Sequence, residues 1–264
     1  MSKSLPSAYV SVRGRKLEYQ RIGAAGADSQ TLVFLHEGLG SIVQWRDFPA
    51  RIAAETRLPV IVYSRYGYGR SDALQQPFGV DFMHREALES LPALLDELEI
   101  KRPILISHSD GASIALIYAG AGHRLEGLAV LAPHVFVEDI GIQGLTALKH
   151  EFETTGLRQR LARYHRDPEK IFRAWCDIGL APAFRDWNIE SFLPGIKCPL
   201  LAIQGYGDEY GSMVQIDAIA RAVSGSVDVL KLEDCGHSPQ QDHPQKVIRA
   251  VVEFVKRCAQ GKLL

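Results

Sequence analysis

Short, largely apolar runs of strand length alternate with longer amphipathic stretches along most of this chain. The runs occupy residues 31–36, 59–64, 102–107, 125–133 and 198–205. A strand that is apolar on both faces needs cover on both faces, and a parallel sheet between two layers of helices provides it. A chain of 264 residues is long enough to bury such a core in one large domain. The sequence therefore predicts an α/β fold with a mostly parallel central sheet and helices on both faces.

Further stretches complete the predicted order of elements. Near the N-terminus, "YVSVRG" and "KLEYQRIG" predict a hairpin that turns at Arg13-Gly14, and "SVDVLKLE" predicts the last strand. A helix over residues 81–100 is predicted from leucines at helical spacing, namely Leu88, Leu91, Leu95 and Leu98. Other helices are predicted over residues 43–56, 111–121, 212–223 and 243–258.

The alternation stops between residues 135 and 193. This stretch is helical in pattern, has no convincing strand, and is rich in aromatic residues, namely Phe152, Phe172, Trp175, Phe184, Trp187 and Phe192. We interpret it as a helical cap inserted above a core formed by residues 1–134 and 194–264. Several of these rings must pack the cap onto the sheet, but a cap of this kind also forms an apolar wall of a pocket.

The stretch "LISHSDGASIA" (105–115) passes from a predicted strand to a predicted helix, with Ser109 at the corner. Such a tight corner strains its central residue, and the residues two positions away must be small, as Ser107 and Gly111 are. The corner would project the Ser109 hydroxyl above the sheet. A serine hydroxyl is a poor nucleophile without a neighbouring base, so the alternative role for Ser109 is a helix N-cap.

His237 and Asp208 are candidates for the partners that a nucleophilic serine needs. His237 lies in the loop after the last predicted strand, and Asp208 lies just after the preceding strand. Loops at the carboxyl ends of parallel strands meet at one edge of the sheet, where open α/β sheets build their sites. We therefore expect both side chains near Ser109.

Three neighbouring residues are rivals for these two positions. His243 directly precedes the proline at which the last helix is predicted to begin, whereas His237 follows the strand closely. Glu209 is adjacent to Asp208, and Asp234 lies on the same loop as the histidine. Their positions relative to the strand ends favour His237 and Asp208.

These motifs resemble the α/β-hydrolase superfamily over almost the whole chain. "SHSDG" matches its nucleophile elbow, with Ser107 in place of the usual first glycine. "LHEGLGS" (35–41) is similar to its oxyanion loop, with Glu37 where glycine is common. "SRYGYGRS" (64–71) is similar to its DR-x-G-x-G-x-S turn, with Ser64 replacing the aspartate. "GYGD" and "CGHS" match its acid and histidine loops. Several motifs in order, each at a strand end, are far more specific than a lone GxSxG.

The resemblance implies an α/β-hydrolase fold in which the serine, histidine and aspartate named above form a catalytic triad. It also implies an oxyanion hole made by the backbone N–H groups of Asp110 and Gly38, with Glu37 as the alternative donor under a one-residue shift. Because a carboxylate facing a developing oxyanion would raise the barrier, we expect the Asp110 side chain to point away from the substrate, toward Arg65 or Arg70.

The implied reaction is the transfer of an acyl group to water. A serine nucleophile excludes the branches of the superfamily that use aspartate. The chain resembles the bacterial serine carboxylesterases and enol-lactonases with a small helical cap, which implies a hydrolase for a small ester, lactone or thioester. Substrate contacts are predicted at Glu37, His134, Trp175 and Trp187, and His36 is expected to pack beneath its loop. The alternatives are a ligand receptor or slow-turnover binding protein, and a C–C bond hydrolase. C–C bond hydrolases of the superfamily usually carry Met directly after the nucleophilic serine and Ser-His-Gly in the oxyanion loop. This chain has Asp110 and "LHEG" at those places.

Composition argues against several other classes of partner. With a formal charge of -1 and no basic cluster, the chain is not expected to bind nucleic acid or an anionic membrane. No apolar window has the length of a membrane span, and no signal-peptide core is seen, so a cytoplasmic location is expected. Four widely spaced cysteines predict reduced thiols, with no metal and no other cofactor. The expected partner is a small-molecule substrate, and a homo-oligomer is left open.

Overall fold

The computed structural model describes residues 6–24 and 29–260, which contain eight strands of one sheet. The strands are β1 (Ala8–Val12), β2 (Arg15–Ile22), β3 (Gln30–Leu35), β4 (Val60–Tyr63), β5 (Arg102–His108), β6 (Gly127–Leu131), β7 (Leu200–Gly205) and β8 (Val227–Leu232). Their order across the sheet is β1-β2-β4-β3-β5-β6-β7-β8. From β4 to β8 every neighbouring pair is parallel. The predicted mostly parallel sheet is thus confirmed.

One edge of the sheet is antiparallel. Strands β1 and β2 form the predicted hairpin, and β2 then pairs antiparallel with β4. The turn places Arg13 and Gly14 at φ values of 52° and 76°, a left-handed conformation that glycine adopts without strain. The glycine therefore explains why the chain reverses at this point.

Helices cover both faces of the sheet. They are α1 (Phe48–Thr56), α2 (Phe82–Arg85), α3 (Leu91–Glu97), α4 (Asp110–Gly120), α5 (Asp139–Thr154), α6 (Leu157–Leu161), α7 (Pro168–Gly179), α8 (Met213–Ala222), α9 (Pro239–Asp242) and α10 (Pro244–Ala259). Residues of α3, α4 and α8 pack in one core cluster with the sheet, and residues of α1 and α10 pack in another. Among the described residues, no helix combines the length and apolar character that a membrane span requires.

Strand β5 shows why these strands are apolar throughout. Leu105 belongs to the core on one face, whereas Ile104 and Ile106 belong to the core on the other, and all three are fully buried. Side chains alternate between the faces of a strand, so both faces must be apolar here. Burying each such side chain stabilises the fold by about 1.5–3 kcal/mol.

The helix predicted over residues 43–56 is broken. A 3₁₀ turn at Ile42–Trp45 is separated from α1 by Arg46, which has a φ of 54°. Pro49 lies in the first turn of α1, where its missing N–H is not needed by the helix. A proline is best accommodated at the start of a helix, so α1 begins just before it.

The helix predicted over residues 81–100 is interrupted by a π-helical turn at Glu86–Ser90. Leu91 N–H donates to the Glu86 carbonyl, five residues back instead of four. Pro92 follows directly and has no N–H with which to continue an α-helical ladder. The extra residue rotates the face of the helix, so Leu91 and Leu95 are buried, but Leu88 is 40% exposed. The predicted helix is therefore interrupted, and Leu88 does not share the buried face of Leu91 and Leu95.

Residues 135–193 leave the sheet after β6 and return to it before β7. They contain α5, α6, α7 and 3₁₀ turns at Pro182–Phe184 and Glu190–Gly195, with one isolated β-bridge between Phe136 and Asn188. Phe152 and Phe172 stack 3.8 Å apart in a small apolar cluster of this segment. The segment thus has apolar packing of its own, and no strand of the sheet lies in it.

Candidate active site

Ser109 lies at the junction of β5 and α4 with φ 52° and ψ -120°. A non-glycine residue with positive φ is strained and must be held by its surroundings. A Cβ atom at Gly111 would overlap the backbone oxygen of Leu35, so this position requires glycine. Ser107, which occupies the other small position, is fully buried and donates its hydroxyl to the Ala129 carbonyl at 3.0 Å. Its hydroxyl is accommodated because it finds an acceptor on β6.

The structure brings together the serine, histidine and aspartate that the sequence singles out. Ser109 Oγ lies 2.9 Å from His237 Nε2, and His237 Nδ1 lies 2.9 Å from both carboxylate oxygens of Asp208. The tautomer with its proton on Nδ1 satisfies both contacts, because Nε2 then accepts from the serine. Ser109 makes no side-chain capping bond to α4, so the N-cap alternative does not describe it.

Groups other than His237 also donate hydrogen bonds to the Asp208 carboxylate. One oxygen accepts from the Tyr210 N–H at 2.9 Å, and the other accepts from the Gln204 amide at 2.8 Å. Burial raises the pKa of Asp208, but the hydrogen bond and charge of His237 and the Tyr210 N–H outweigh it and hold the pKa below its ordinary value. Asp208 is therefore ionised at neutral pH. Sequence reasoning missed Gln204, whose position inside β7 is its only signal.

The rival residues lie elsewhere. Glu209 is exposed, and its carboxylate accepts only the backbone N–H of His237, at 3.3 Å. Asp234 is exposed, and its carbonyl accepts from the His243 ring at 3.2 Å. His243 itself faces the Glu233 and Asp234 carbonyls at the start of α10. None of these side chains reaches Ser109 in the way that His237 does.

The loop after β3 is held from below by Arg65. Its guanidinium is buried and donates to the carbonyls of His36 and Glu37, each at 3.0 Å. The Glu37 carbonyl also accepts from the Gly40 N–H at 3.1 Å. In a trans peptide the C=O and the following N–H point in opposite directions, so the Gly38 N–H is directed away from Arg65. Sequence reasoning named Arg65 only as a partner for Asp110 and missed this role.

His36 supports the same loop as a neutral ring. Its Nε2 accepts a hydrogen bond from the backbone N–H of Arg65 at 3.1 Å, and its Nδ1 lies 2.7 Å from the Glu37 carbonyl oxygen. Burial, and then the charge of Arg65, hold the pKa of His36 well below its ordinary value. The ring is fully buried, as the sequence led us to expect.

The turn at residues 64–71 is hydrogen-bonded to a carboxylate that lies on β2. Ser64, which stands where the family resemblance implies aspartate, donates to the buried carboxylate of Glu18 at 3.2 Å, and the Arg70 N–H donates to the same oxygen at 2.9 Å. Ser64 Oγ also accepts from the Ile42 N–H. Glu18 of β2 thus takes the place of the missing aspartate and ties this turn to the residues that follow the loop after β3.

The Asp110 side chain does not lie where the sequence predicts. Its carboxylate accepts from the indole N–H of Trp175 on α7 at 2.8 Å and forms part of a cavity wall. The hydrogen-bond partner is therefore not an arginine, although Arg65 is close enough for its charge to act on the carboxylate. Burial raises the pKa of Asp110, and this effect outweighs Arg65 and the Trp175 bond. The difference arises because α7 docks across the elbow, and a docking angle is not encoded in local sequence.

Trp175 also explains a glycine in the loop after β3. A Cβ atom at Gly38 would overlap the Trp175 ring, so the indole lies directly on this residue. The same side chain thus contacts the loop and is hydrogen-bonded to the first residue of α4. It joins residues 135–193 to both sides of the site.

Changing Trp175 to Phe is expected to lower the free energy of unfolding by about 1–3 kcal/mol, because the buried Asp110 carboxylate loses a donor. Urea unfolding measures this difference. Trp187→Phe is the matched control, since Trp187 Nε1 is buried and makes no hydrogen bond to the described residues. Equal losses in the two variants would contradict a stabilising Trp175–Asp110 bond.

Glu37 connects the loop after β3 to the histidine loop. Its carboxylate lies 3.5 Å from His108 Nδ1, and His108 Nε2 lies 2.7 Å from the His237 carbonyl. Burial lowers the pKa of His108, but the Glu37 carboxylate outweighs it and raises the pKa above its ordinary value. The His108 ring thus lies between the two loops. The position of His108 next to Ser109 was the only signal for this contact in the sequence.

A cavity of about 210 Å³ opens on Ser109 and His237. It is lined from below by the loops at the carboxyl edge of the sheet and from above by α5, α7 and the turn at Pro182–Phe184. The predicted substrate contacts, namely Glu37, His134, Trp175 and Trp187, all line it. Burial lowers the pKa of His134 to about 4, so this ring is neutral at pH 7. Most of the wall is apolar, as in typical small-molecule sites.

Several curated proteins that match the chain over most of its length are hydrolases by name. A 2-hydroxy-6-oxononadienedioate/2-hydroxy-6-oxononatrienedioate hydrolase from Paraburkholderia xenovorans is 28% identical, over 88% of this chain and 88% of that protein. The serine hydrolase BPHL from Mus musculus is 27% identical, over 84% of this chain and 77% of that protein.

Solved structures share the fold at lower sequence identity. The enol-lactonase from Burkholderia xenovorans LB400 superposes with a TM-score of 0.73 at 21% identity, covering 94% of this chain and all of that one. Est816, described as an N-acyl homoserine lactone degrading enzyme, superposes with a TM-score of 0.72 at 22% identity, with the same coverage. The alpha/beta hydrolase family model matches residues 32–250, which is most of the chain. The chain therefore belongs to the alpha/beta hydrolase family.

Proposed function

We propose that this protein is a serine hydrolase that cleaves a small carboxylic ester, or a related lactone or thioester, through an acyl-enzyme. Ser109 is the nucleophile, His237 the general base and acid, and Asp208 the residue that orients the histidine. The observation that carries the proposal is the unbroken chain of 2.9 Å contacts from Ser109 Oγ through His237 to Asp208, opening on a cavity. Nucleophile, base and orienting acid in hydrogen-bond reach define this reaction class.

Acylation begins when His237 Nε2 takes the proton from Ser109 Oγ as the oxygen attacks the substrate carbonyl. The imidazolium that forms is stabilised by the ionised Asp208. The carbonyl oxygen becomes an oxyanion, and we assign its donors to the N–H groups of Asp110 and Gly38. Asp110 is the first residue of α4, so its N–H has no acceptor within the helix. The orientation of the Glu37 carbonyl toward Arg65 supports Gly38 as the second donor.

Deacylation repeats these steps with water. His237 returns its proton to the leaving alcohol, which departs, and then removes a proton from a water molecule that attacks the acyl-enzyme. Collapse of the second oxyanion releases the acid and restores Ser109. Residues 135–193 act in this proposal as a cap over the core formed by residues 1–134 and 194–264, and they exclude bulk water from the acyl group.

Labelling and turnover together test this proposal against the ligand-receptor alternative. A fluorophosphonate should label Ser109, as located by peptide mass spectrometry, and p-nitrophenyl esters should be hydrolysed at a steady rate after any initial burst. Labelling with a single burst and no further turnover would favour a receptor or slow-turnover binding protein. Absence of labelling in a folded preparation would contradict a nucleophilic Ser109.

A C–C bond hydrolase is the second candidate, and its support is the similarity to hydrolases named for 2-hydroxy-6-oxononadienedioate. Those names specify a dianionic substrate. A turnover screen over esters, lactones, thioesters and that dioate separates the candidates, because each releases a different product. Faster turnover of the dioate than of every ester would favour the second candidate.

The rate with simple esters is expected to depend on the length of the acyl chain. Each methylene that the cavity buries should contribute about 0.8 kcal/mol, which raises kcat/KM about fourfold until the space is filled. A cavity of about 210 Å³ favours short to medium chains over fatty-acyl chains. A series of p-nitrophenyl esters from acetyl to palmitoyl measures this profile. A flat profile, or a steady rise to palmitoyl, would show that the cap does not enclose the acyl group.

A further inference from the structure

The cavity above Ser109 has acidic side chains in its wall but no basic ones. Three acidic residues, Glu37, Asp110 and Glu138, line it. Among the described residues that line the cavity, none is lysine or arginine. The remaining wall is largely apolar, so a charge inside it would be poorly hydrated.

The carboxylates differ in how their charge is balanced. Glu37 faces the basic ring of His108 at 3.5 Å, and its carboxylate raises the pKa of that ring. Glu138 is instead held by neutral groups: it accepts from the Ser212 N–H at 2.9 Å, from the Ser212 hydroxyl at 2.6 Å and from the Gln215 amide at 2.7 Å. Burial raises the pKa of Glu138, but these hydrogen bonds outweigh it and keep the pKa below its ordinary value. Glu138 is therefore ionised at neutral pH, and none of these donors carries a full positive charge.

Asp110 offers no cationic partner to an anion in the same cavity. Its hydrogen-bond donor is the uncharged indole of Trp175. An anion placed beside it would have to remain unpaired or force the carboxyl group to take up a proton, and both are unfavourable in an apolar enclosure.

The nearest cationic groups are not available to a substrate. Arg65 lies behind the loop after β3, where the His36 and Glu37 carbonyls occupy its guanidinium. His134 lines the cavity but is neutral at pH 7. His237 is occupied by Asp208 and Ser109. No described side chain of the wall can therefore form an ion pair with a carboxylate on the acyl chain.

We infer that the cavity selects substrates whose acyl group carries no negative charge, with Glu138 as the residue that rejects anionic ones. This inference rests on the proposed hydrolase function and narrows its substrate class. It separates this chain from relatives named for a dioate substrate, because such a substrate brings two carboxylates into its site. A site that takes a carboxylate would need arginine or lysine as its partner.

A pair of esters of equal shape tests the inference. Mono-p-nitrophenyl adipate carries a carboxylate at the end of its acyl chain, and p-nitrophenyl 6-methylheptanoate carries an uncharged isopropyl group in its place. At pH 7.5 we expect kcat/KM to be about 100-fold higher for the uncharged ester. The preference should persist in high salt, because charges enclosed in a cavity are weakly screened.

Glu138→Gln keeps the shape of the side chain and removes its charge. The ratio of the two kcat/KM values should fall about tenfold in this variant, and a ratio is insensitive to how much of the protein is folded. Glu153→Gln is the matched control, because Glu153 is an exposed carboxylate of the same segment that does not line the cavity. Its ratio should equal that of the wild type.

Binding to the Ser109→Ala variant gives a readout that does not need turnover. Titration calorimetry with the two esters should show the same preference for the uncharged one. If the wild type hydrolyses neither ester, the charge preference is judged on binding alone, and the hydrolase proposal is judged on the fluorophosphonate labelling and the wider turnover screen. Equal affinities, a wild-type ratio near one, or a large ratio that Glu138→Gln leaves unchanged would each overturn the inference.

Discussion

Replacing Ser109 with Ala is expected to lower kcat for ester hydrolysis by a factor of about 10⁴ or more. The variant lacks the oxygen that forms the acyl-enzyme, so only oxyanion stabilisation and substrate binding remain to accelerate attack by water. The fold should survive, because Ser109 Oγ bonds only to His237 and makes no cap on α4. Alanine is also no worse than serine at the φ of 52°, since both carry a Cβ. Steady-state kinetics and a thermal melt measure the two effects.

Ser107→Ala is the control for Ser109→Ala. It removes a hydroxyl two residues away, at the other end of the same corner, where the bond is to the Ala129 carbonyl. It should cost some stability but less than tenfold in kcat. Turnover that persists in clean Ser109→Ala protein would contradict the whole mechanism, because no other described hydroxyl is bonded to His237 Nε2.

Much of the fold and the three central side chains could be predicted because each depends on local sequence and sheet topology. Strands such as β5 must be apolar on both faces to lie between two layers of helices. Parallel strands then bring their carboxyl ends to one edge, and with them Ser109, Asp208 and His237. Nothing about the angle between distant elements is needed for this prediction.

Most of the contacts that could not be predicted cross between elements far apart in sequence. The Trp175–Asp110 bond depends on how α7 docks, and Arg65 reaches two carbonyls of a loop that lies 28 residues or more before it. Glu18, which lies on β2, supplies the carboxylate where the family resemblance implies an aspartate at residue 64. Side chains of this kind have no periodicity or spacing of their own, so sequence patterns do not identify them.

The interrupted helices show a second reason why some sequence-based predictions differ from the structure. Periodicity places Leu88 on the same face as Leu91 and Leu95, and it would be correct for a continuous α-helix. The π turn before Pro92 inserts one residue and rotates that face. Proline at this point was visible in the sequence, but its consequence depends on whether the chain ends the helix or bulges, and the packing of α3 on the sheet decides that.

Residues 135–193 and the loop after β3 are linked through Trp175 and Gly38. Because the indole occupies the space that a side chain at residue 38 would need, the loop can lie this close to Trp175 only with glycine at that position. Residues 135–193 thereby contact the peptide to which we assign the second oxyanion donor. Movement of α7 would alter both the hydrogen bond to Asp110 and the wall of the cavity, so substrate enclosure and oxyanion geometry are coupled.

Asp208→Asn should have an effect of the same order as loss of the serine, about 10⁴-fold in kcat, while leaving the shape of the site intact. The Asp208 carboxylate accepts a hydrogen bond from the protonated Nδ1 of His237. This tautomer leaves Nε2 free to accept a hydrogen bond from Ser109. An asparagine that presents its NH₂ group to Nδ1 favours the other tautomer, in which Nε2 carries the proton and cannot act as a base. Asparagine also removes the charge that stabilises the imidazolium.

The control variants for Asp208→Asn are Glu209→Gln and Asp234→Asn, which make the same chemical change on neighbouring loops. Among the described residues Glu209 accepts only the backbone N–H of His237, and Asp234 is exposed, so each change should cost less than about tenfold in kcat. Steady-state kinetics on one short-chain p-nitrophenyl ester compares the three variants under identical conditions. Should Asp234→Asn prove the most damaging, the orienting acid would lie at the end of β8, and the role assigned to Asp208 at the end of β7 would be wrong.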